Sequence, residues 1–597
     1  MNPSDAPDPA AALRPIAVKR LSAASWQDGA RAAAQGRDNS LSAPILRLRS
    51  AAGHLEVLVE AREMRDLPAL RIQAGHGQMR LLIGDESELE HFDVSQCYAN
   101  LLQFNVDLRL GRIECSTSVV GLPPLFVIES SRGSAIAAPL RPDAGHGLPL
   151  EGLDLEAAAD VLRWGHPIDG RTLAQNLRLA PVSAVVVLRD AGVAIVRAAS
   201  AGWDSSQAPR DIASIIEEQM VVFARAAKRL DGRAAFMSLS GGLDSRTVAA
   251  ATALGGRRIP CVTLALDHRS LDAKLAAAFC KTYALEHRII STDAEFQRGL
   301  ADRVVKSAGL TLGVSALAQS VDLFLYEQMG SGFRARISGN LGNQVGRGGV
   351  ESLTASMQPN HLFSPQLQRA LHERPTEPWY LKRMHSRGFA QALFTEEVNY
   401  WSIPNYVLGS AHAVQLTPYA DRRLIQLAAE LFANLQELRS PTVQSIRRRD
   451  LRHRLAGPPL EQSFQRSFLC NYDELGAKIA INWGWLARGG WSPSWLLAAL
   501  PTVASAGLSK TAPVLNRLWR ALPPVALADW PRLLREDLRD LTHDCLQSDA
   551  VRSSSLFDNS QITRLLQRHF SGAEPCFGTI ARLLEVGMGC LIVARQA

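Results

Sequence analysis

The sequence has no unbroken apolar run of the ~18 residues that a membrane span requires, so we expect no membrane association. It has eight cysteines, but none of them pair at C-x-x-C spacing, which excludes the usual zinc and redox arrangements. We expect them to be reduced and buried. The first residues, "MNPSDAPDPAAALRPIAVKR", put acids before basic residues, the reverse of a secretory signal. They read as a frayed lead-in to a cytoplasmic protein. The net charge is +7, but no RNA- or DNA-binding motif accompanies it. The richest basic run holds Arg447, Arg448, Arg449, Arg452 and Arg454. It reads mainly as a solvated helix face, and nucleic acid is not an expected partner.

What is present is ordinary globular material, 47% hydrophobic and 21% charged, in a chain too long for a single core. Residues 1–205 read as short apolar runs between turns, such as "PILRLRS", "HLEVLVEA", "PLFVIES" and "SAVVVLRD", which predict a β-rich domain. One helix is expected at "DLEAAADVLRWG", and a Gly/Ser/Pro-rich linker at residues 200–210. Residues 206–597 change period. A helix at "DIASIIEEQMVVFARAAKRL" is followed by strand "AAFMSL", a helix, strand "PCVTLAL", a helix and strand "EHRIIS". Such alternation implies a parallel sheet with right-handed crossovers. Beyond Ser291 the chain is expected to be mostly helical to the end.

The chemistry concentrates in "SLSGGLDSRT", Ser238 to Thr247. Loops at the carboxyl ends of parallel strands are where ligands bind. Gly241 and Gly242 let backbone N–H groups approach an anion, and the helix that follows adds partial positive charge. Ser240 and Ser245 can donate to phosphate oxygens. Asp244 would repel phosphate unless a cation, most simply Mg²⁺, lies between them. No Lys-Ser/Thr follows the glycines, so this is not the common phosphate loop. A polyphosphate site is the reading.

"SGGLDS" resembles the pyrophosphate loop of the ATP pyrophosphatases, and its context is similar to the asparagine synthetase superfamily. "RSLDAKLAAAF" with Asp272, "RISGNLGNQVGRGG" with Ser338 and Gly339, and "LTPYADRRL" with Asp421 follow in that family's order. The resemblance implies an α/β architecture. A glutaminase-like domain of N-terminal-nucleophile type would stand in front of an ATP-pyrophosphatase-like synthetase domain with a helical extension. It also implies carboxylate adenylation, pyrophosphate release and attack by an amine.

Departures from the family shape the expectation. Position 2 is Asn2 rather than the nucleophilic cysteine, and an amide offers no usable nucleophile. The front domain is therefore expected to be a scaffold without glutaminase activity. The second loop's common form, Ser-Gly-x-Gly-x-Asp-Glu, here ends in Asn343 and Gln344, so Asn343 becomes a neutral metal ligand beside Asp244. Val414 and Leu416 replace the Glu and Arg that precede the family's Pro-Phe segment. His412 is the nearby candidate base, and Arg466 the candidate for the family's late catalytic lysine.

These departures resemble the lasso-peptide macrolactam synthetases. That resemblance implies a precursor-peptide substrate, a partner leader peptidase, and ring closure between an Asp or Glu side chain and the peptide's own N-terminal amine. The alternatives are an amide ligase using ammonia or another small amine, and a non-catalytic scaffold.

Overall fold

The computed structural model describes six strands before residue 112. It then describes residues 112–138, 150–189, 192–197, 210–347, 360–374, 393–438, 463–479 and 528–596, with breaks of one to three residues. The N-terminal lead-in with Asn2, Cys97, the linker at residues 200–209 and the basic run at residues 447–454 lie outside the described residues.

The expected β-rich front part consists of two six-stranded antiparallel sheets. Its strands are β1 (Ile16–Lys19), β2 (Ile45–Arg49), β3 (Glu56–Glu60), β4 (Leu70–Gly75), β5 (Gln78–Ile83) and β6 (Leu102–Asp107). They continue with β7 (Arg112–Ser116), β8 (Phe126–Ser130), β9 (Gly133–Ala138), β10 (Leu177–Leu179), β11 (Ala184–Arg189) and β12 (Gly192–Arg197). One sheet has the order β10-β8-β9-β1-β3-β2 and the other β12-β11-β7-β6-β5-β4. Strands β8 and β9 of the first lie against β11 and β12 of the second. In β7, Ile113 and Cys115 are buried while their neighbours are half-buried, the period-2 signature of a strand with one face in a core.

The expected helix is α1 (Leu155–Trp164). Asp154 caps it, accepting from the N–H groups of Glu156 and Ala157, and Gly165 ends it at φ +88°. Its buried Ala157, Val161 and Leu162 share one core with Ile580, Leu583 and Leu584 near the C-terminus. Asp160 of α1 accepts two 2.8 Å bonds from Arg374. The front and back parts are thus joined by a common core and a forked ion pair.

In the back part, α2 (Ile212–Arg229) buries Ile215, Gln219, Val222, Phe223 and Ala226, the three- and four-residue spacing of an amphipathic helix. There follow β13 (Ala235–Ser238), α3 (Leu243–Leu254), β14 (Cys261–Ala265), α4 (Leu271–Tyr283) and β15 (His287–Ser291). The expected helix between these strands is α3, which starts directly after the two glycines because the loop turns straight into it. Beyond Ser291 the described residues are mostly helical, as expected, with two short strands among the helices. After α5 (Ala316–Met329) comes β16 (Ala335–Ile337), then α6 (Gly342–Arg347), α7 (Val398–Ser410) and β17 (Val414–Leu416). Helices α8 (Ser463–Tyr472) and α9 (Phe577–Gln596) complete the elements used below.

All five back strands are parallel, in the order β15-β14-β13-β16-β17. The chain runs outward from β13 to β15 and then returns to the other side of β13. The order reverses between β13 and β16, the switch point where the loops leaving two neighbouring strands diverge to opposite faces and leave a crevice.

Among the described residues no cysteine forms a disulfide, in line with the expectation of reduced thiols. Cys470 and Cys576 are half-buried rather than buried. Helix α9 is long and apolar enough to cross a membrane by length and composition, yet more than half of that window is buried against the rest of the protein. It carries Glu585, which accepts from Arg582 at 3.0 Å. Burial raises the Glu585 carboxyl from 4.5 to about 7, against the opposing pull of Arg582. The folded state therefore holds the proton that the unfolded chain releases between those values, so this group's contribution to stability falls as pH rises from 4.5 to 7. Glu585→Gln is expected to melt higher than the parent at pH 8, by up to roughly 3 kcal/mol. The gap should close as the pH approaches 4.5 in melts run across the window. A constant gap would assign the effect to packing instead.

Candidate active site

Strand β13 delivers Ser240, Gly241 and Gly242 to the start of α3, whose N-cap Gly242 makes no side-chain cap bond. The first-turn N–H groups of α3 thus have no side-chain cap, and the positive end of the helix dipole lies at this loop. The loop is closed on itself. Ser245 Oγ accepts from the Ser240 N–H at 3.0 Å, the two hydroxyls bond at 3.0 Å, and Ser240 Oγ accepts from the Gly242 N–H at 3.1 Å. The hydroxyls expected to meet phosphate therefore face each other, and a ligand would draw on bonds already formed. Asp272, at the start of α4, accepts from the Gly241 N–H at 3.0 Å. A Cβ on Gly241 would sit 2.7 Å from that carboxylate, which explains the glycine. Burial raises Asp272, while the Gly241 N–H and Arg246 pull it back.

Arg246, absent from the sequence expectations, is fully buried (0% exposed). Its Nε donates to Gly242 O at 3.2 Å. Burial pulls its guanidinium down to about 10, opposed by Asp272 and Asp473. The loop floor thus carries a desolvated cation beneath two carboxylates.

The second loop leaves β16 as Ser338, Gly339, Asn340 and Leu341 and enters α6 at Gly342. Ser338 is buried and its Oγ accepts from the Asn340 N–H at 3.3 Å. Leu341, where the family form has glycine, is left-handed at φ +69°. The two loops interlock. A Cβ on Gly339 would lie 2.5 Å from Ser245 N, and one on Gly342 2.5 Å from Asp244 Cβ. The Tyr419 hydroxyl donates to Asp244 O at 3.0 Å. Asp244, half-buried in the first turn of α3, stands where the two strand exits meet.

Its carboxylate has a partner that the sequence did not announce. Gln465, on α8 and 0% exposed, donates its Nε2 to Asp244 Oδ1 at 3.2 Å and to Gly342 O at 3.0 Å. On this helix the sequence expectation had singled out the next residue, Arg466, as the stand-in for the family's late catalytic lysine. The helix presents the neighbouring amide instead, because Phe464 and Phe468 turn their shared face into the core around Phe223. The only sequence signal was that aromatic i, i+4 pair, which sets which side of α8 faces inward.

His412 does not join the site. It precedes β17, whose register pairs Val414 with Ala335 and Leu416 with Ile337. His412 therefore lies toward the amino ends of the strands, while Asp244 follows a carboxyl end. It stacks on Tyr326, ring centroids 5.1 Å apart and 14° from parallel, which is a packing role. Asn343, expected to help hold the metal, follows Gly342 in the first turn of α6 and is half-buried. Ser240, Gly241, Gly242, Asp244, Ser245, Asp272, Ser338 and Gly339 are brought together.

An asparagine synthase family domain spans residues 224–455. No curated protein matches the chain. The domain takes in both glycine loops and leaves out the antiparallel sheets and Gln465. Its five-stranded parallel sheet is consistent with an ATP-pyrophosphatase domain. The family uses ATP, and the domain implies ATP-dependent, AMP-forming ligase chemistry. Among the described residues no three acidic, histidine or cysteine side chains gather as a metal cage. Asp244 in the first turn of α3 and the neutral Asn343 in the first turn of α6 are the donors present, and such a sparse set suits Mg²⁺, which usually takes one or two carboxylates and completes its shell with substrate phosphates and water. A small cavity of about 50 Å³ lies apart from the glycine loops, lined by Phe126 and Leu179 on one side and Leu312, Ile403 and Val407 on the other.

Proposed function

We propose that the protein is an ATP-dependent carbon–nitrogen ligase that closes a peptide macrolactam, as the lasso-peptide cyclases do. The observation that carries the ligase part is the interlock of the two glycine loops at the switch point, with Asp244 at the joint. The uncapped α3 terminus and the backbone N–H groups receive the polyphosphate. Asp244, with Asn343 beside it, would hold Mg²⁺, which supplies charge neutralisation on the phosphates when bound. A side-chain carboxylate of the substrate attacks the α-phosphorus, the bond to pyrophosphate breaks, and an acyl-adenylate remains. An amine then attacks the acyl carbon, AMP leaves and the amine's proton passes to solvent.

The cyclase part is supported by what the site lacks. Val414 provides no carboxylate to assist an amine, and His412 is remote. An intramolecular amine needs less assistance, because orientation alone can supply effective molarities of ~10⁵ M or more. An α-amine, with a pKa near ~8, is also partly neutral at physiological pH. A precursor peptide and a leader peptidase are then the partners, and the cytoplasm, where ATP is supplied, the setting. The second reading is a ligase for ammonia or a small amine, favoured by the asparagine synthase character of residues 224–455.

The test supplies ATP, Mg²⁺ and leaderless peptides bearing an internal Asp or Glu, with aspartate plus ammonia in parallel. The expected products are AMP, pyrophosphate and a peptide lighter by one water. Asparagine formation with no peptide dehydrated would replace the cyclase reading. Absence of AMP under every condition would leave only the scaffold.

A further inference from the structure

We propose that a half-buried side-chain relay, Arg336–Asp322–Asn405–Asn340, is a positioning device that clamps the second glycine loop onto Asp244 and so sets the affinity for magnesium nucleotide. It rests on the nucleotide reading above. Arg336 projects from the centre of β16. Its Nε donates to Ser238 Oγ at 2.7 Å, and its Nη1 to Asp322 Oδ1 at 2.8 Å and to the Tyr326 hydroxyl at 3.1 Å. Asp322 Oδ2 accepts from Asn405 Nδ2 at 2.8 Å, and Asn405 Oδ1 accepts from Asn340 Nδ2 at 3.4 Å. The Thr417 hydroxyl holds the Asn340 carbonyl at 2.8 Å. One end of the relay is the last residue of β13, two positions before Ser240. The other is the second loop itself, gripped at both its side chain and its backbone.

Two features of the loop call for such a clamp. Its residues from Ser338 to Gln344 carry no charge, so no ionic bond of their own can fix them beside Asp244. Leu341 holds a left-handed backbone that costs an ordinary residue about 1 kcal/mol or more, and such strain persists only where the surroundings enforce it. The central pair, Arg336 with 10% and Asp322 with 18% of its side chain exposed, is taken from water. A pair of this kind adds little stability over well-packed apolar residues, whereas its fixed geometry can specify one arrangement. None of the four residues needs to touch nucleotide. They act through Gly339 and Gly342, which abut Ser245 and Asp244.

Titration calorimetry of the full chain with Mg²⁺ and ATP tests this in the parent, Asn405→Ala and Asp322→Asn. Each variant is expected to weaken binding about five- to tenfold at unchanged stoichiometry, the effect of one lost hydrogen bond on a preorganised site. A purely structural role would lower the melting temperature and the bound fraction but leave the dissociation constant of the folded molecules alone. Full stoichiometry with affinities within about twofold of the parent in both variants would overturn the inference. Should Asn405→Ala fail to fold, Thr417→Val removes the other grip on Asn340 without touching the ion pair and carries the same expectation. A parent that binds no magnesium nucleotide would overturn the nucleotide reading itself, and with it the relay.

Discussion

Asp244→Ala is expected to abolish pyrophosphate release while leaving the fold intact. The bond from the Tyr419 hydroxyl goes to the Asp244 backbone carbonyl, so it survives the substitution. What is lost structurally is one carboxylate in the first turn of α3 and its 3.2 Å bond from Gln465. An acid in a first turn contributes only ~0.3–1 kcal/mol through the helix dipole, too little to unfold the domain. Electrostatic stabilisation of the transferring phosphoryl group through a metal is worth several kcal/mol, or roughly a thousand-fold or more in rate. The catalytic loss should therefore far exceed the loss of stability. The sign also separates two roles for the carboxylate. Without divalent cation Asp244 only repels phosphate, so the Ala variant should bind ATP no worse than the parent in chelator and markedly worse with Mg²⁺. Equal affinity with and without the metal, at near-parent turnover, would remove Asp244 from the site.

The first loop was legible because its signal is local. Glycines, hydroxyls and an acid between an apolar strand and a helix carry their own geometry, and Ser240 to Ser245 lie where that pattern puts them. Asp272, Ser338 and Gly339 followed from the resemblance to the family's order of segments and arrive at the same place. What escaped is non-local or too short. Strands β16 and β17 have three residues each, and "ARI" and "VQL" do not alternate long enough to be seen between helices. A charged residue at the centre of one argues against a strand until its three partners are known. His412 was misplaced for the same reason. Two residues from Val414 in sequence seems close, but once Val414 begins a parallel strand, His412 lies beyond the wrong end of it. Gln465 reaches Asp244 across 221 residues, a pairing that no spacing rule encodes.

The interlock of the loops makes a second large effect available without touching any polar group. Gly339→Ala adds a single methyl, and that Cβ would fall 2.5 Å from Ser245 N, 2.8 Å from Ser245 Cα and 2.9 Å from the Asp244 carbonyl carbon. Every one of these is a backbone atom, so no rotamer change relieves the contact. Either the second loop retreats or the first turn of α3 shifts, and in both cases Asp244 parts from Gly342. Displacements of about an ångström at a phosphoryl-transfer site cost on the order of a hundredfold in rate. Overpacking a tight site costs roughly 1–3 kcal/mol of stability, which a molecule of this size can absorb. Nucleotide binding and AMP formation are thus expected to fall by a hundredfold or more, with a melting transition that stays cooperative. Gly309→Ala is the matched control, because its Cβ would meet nothing within 4 Å. A glycine in an ordinary helix gains up to about 1 kcal/mol on becoming alanine, so that variant should melt slightly higher and bind nucleotide like the parent. If Gly339→Ala also binds like the parent, the two loops do not need to touch, and the site must be drawn on the first loop alone.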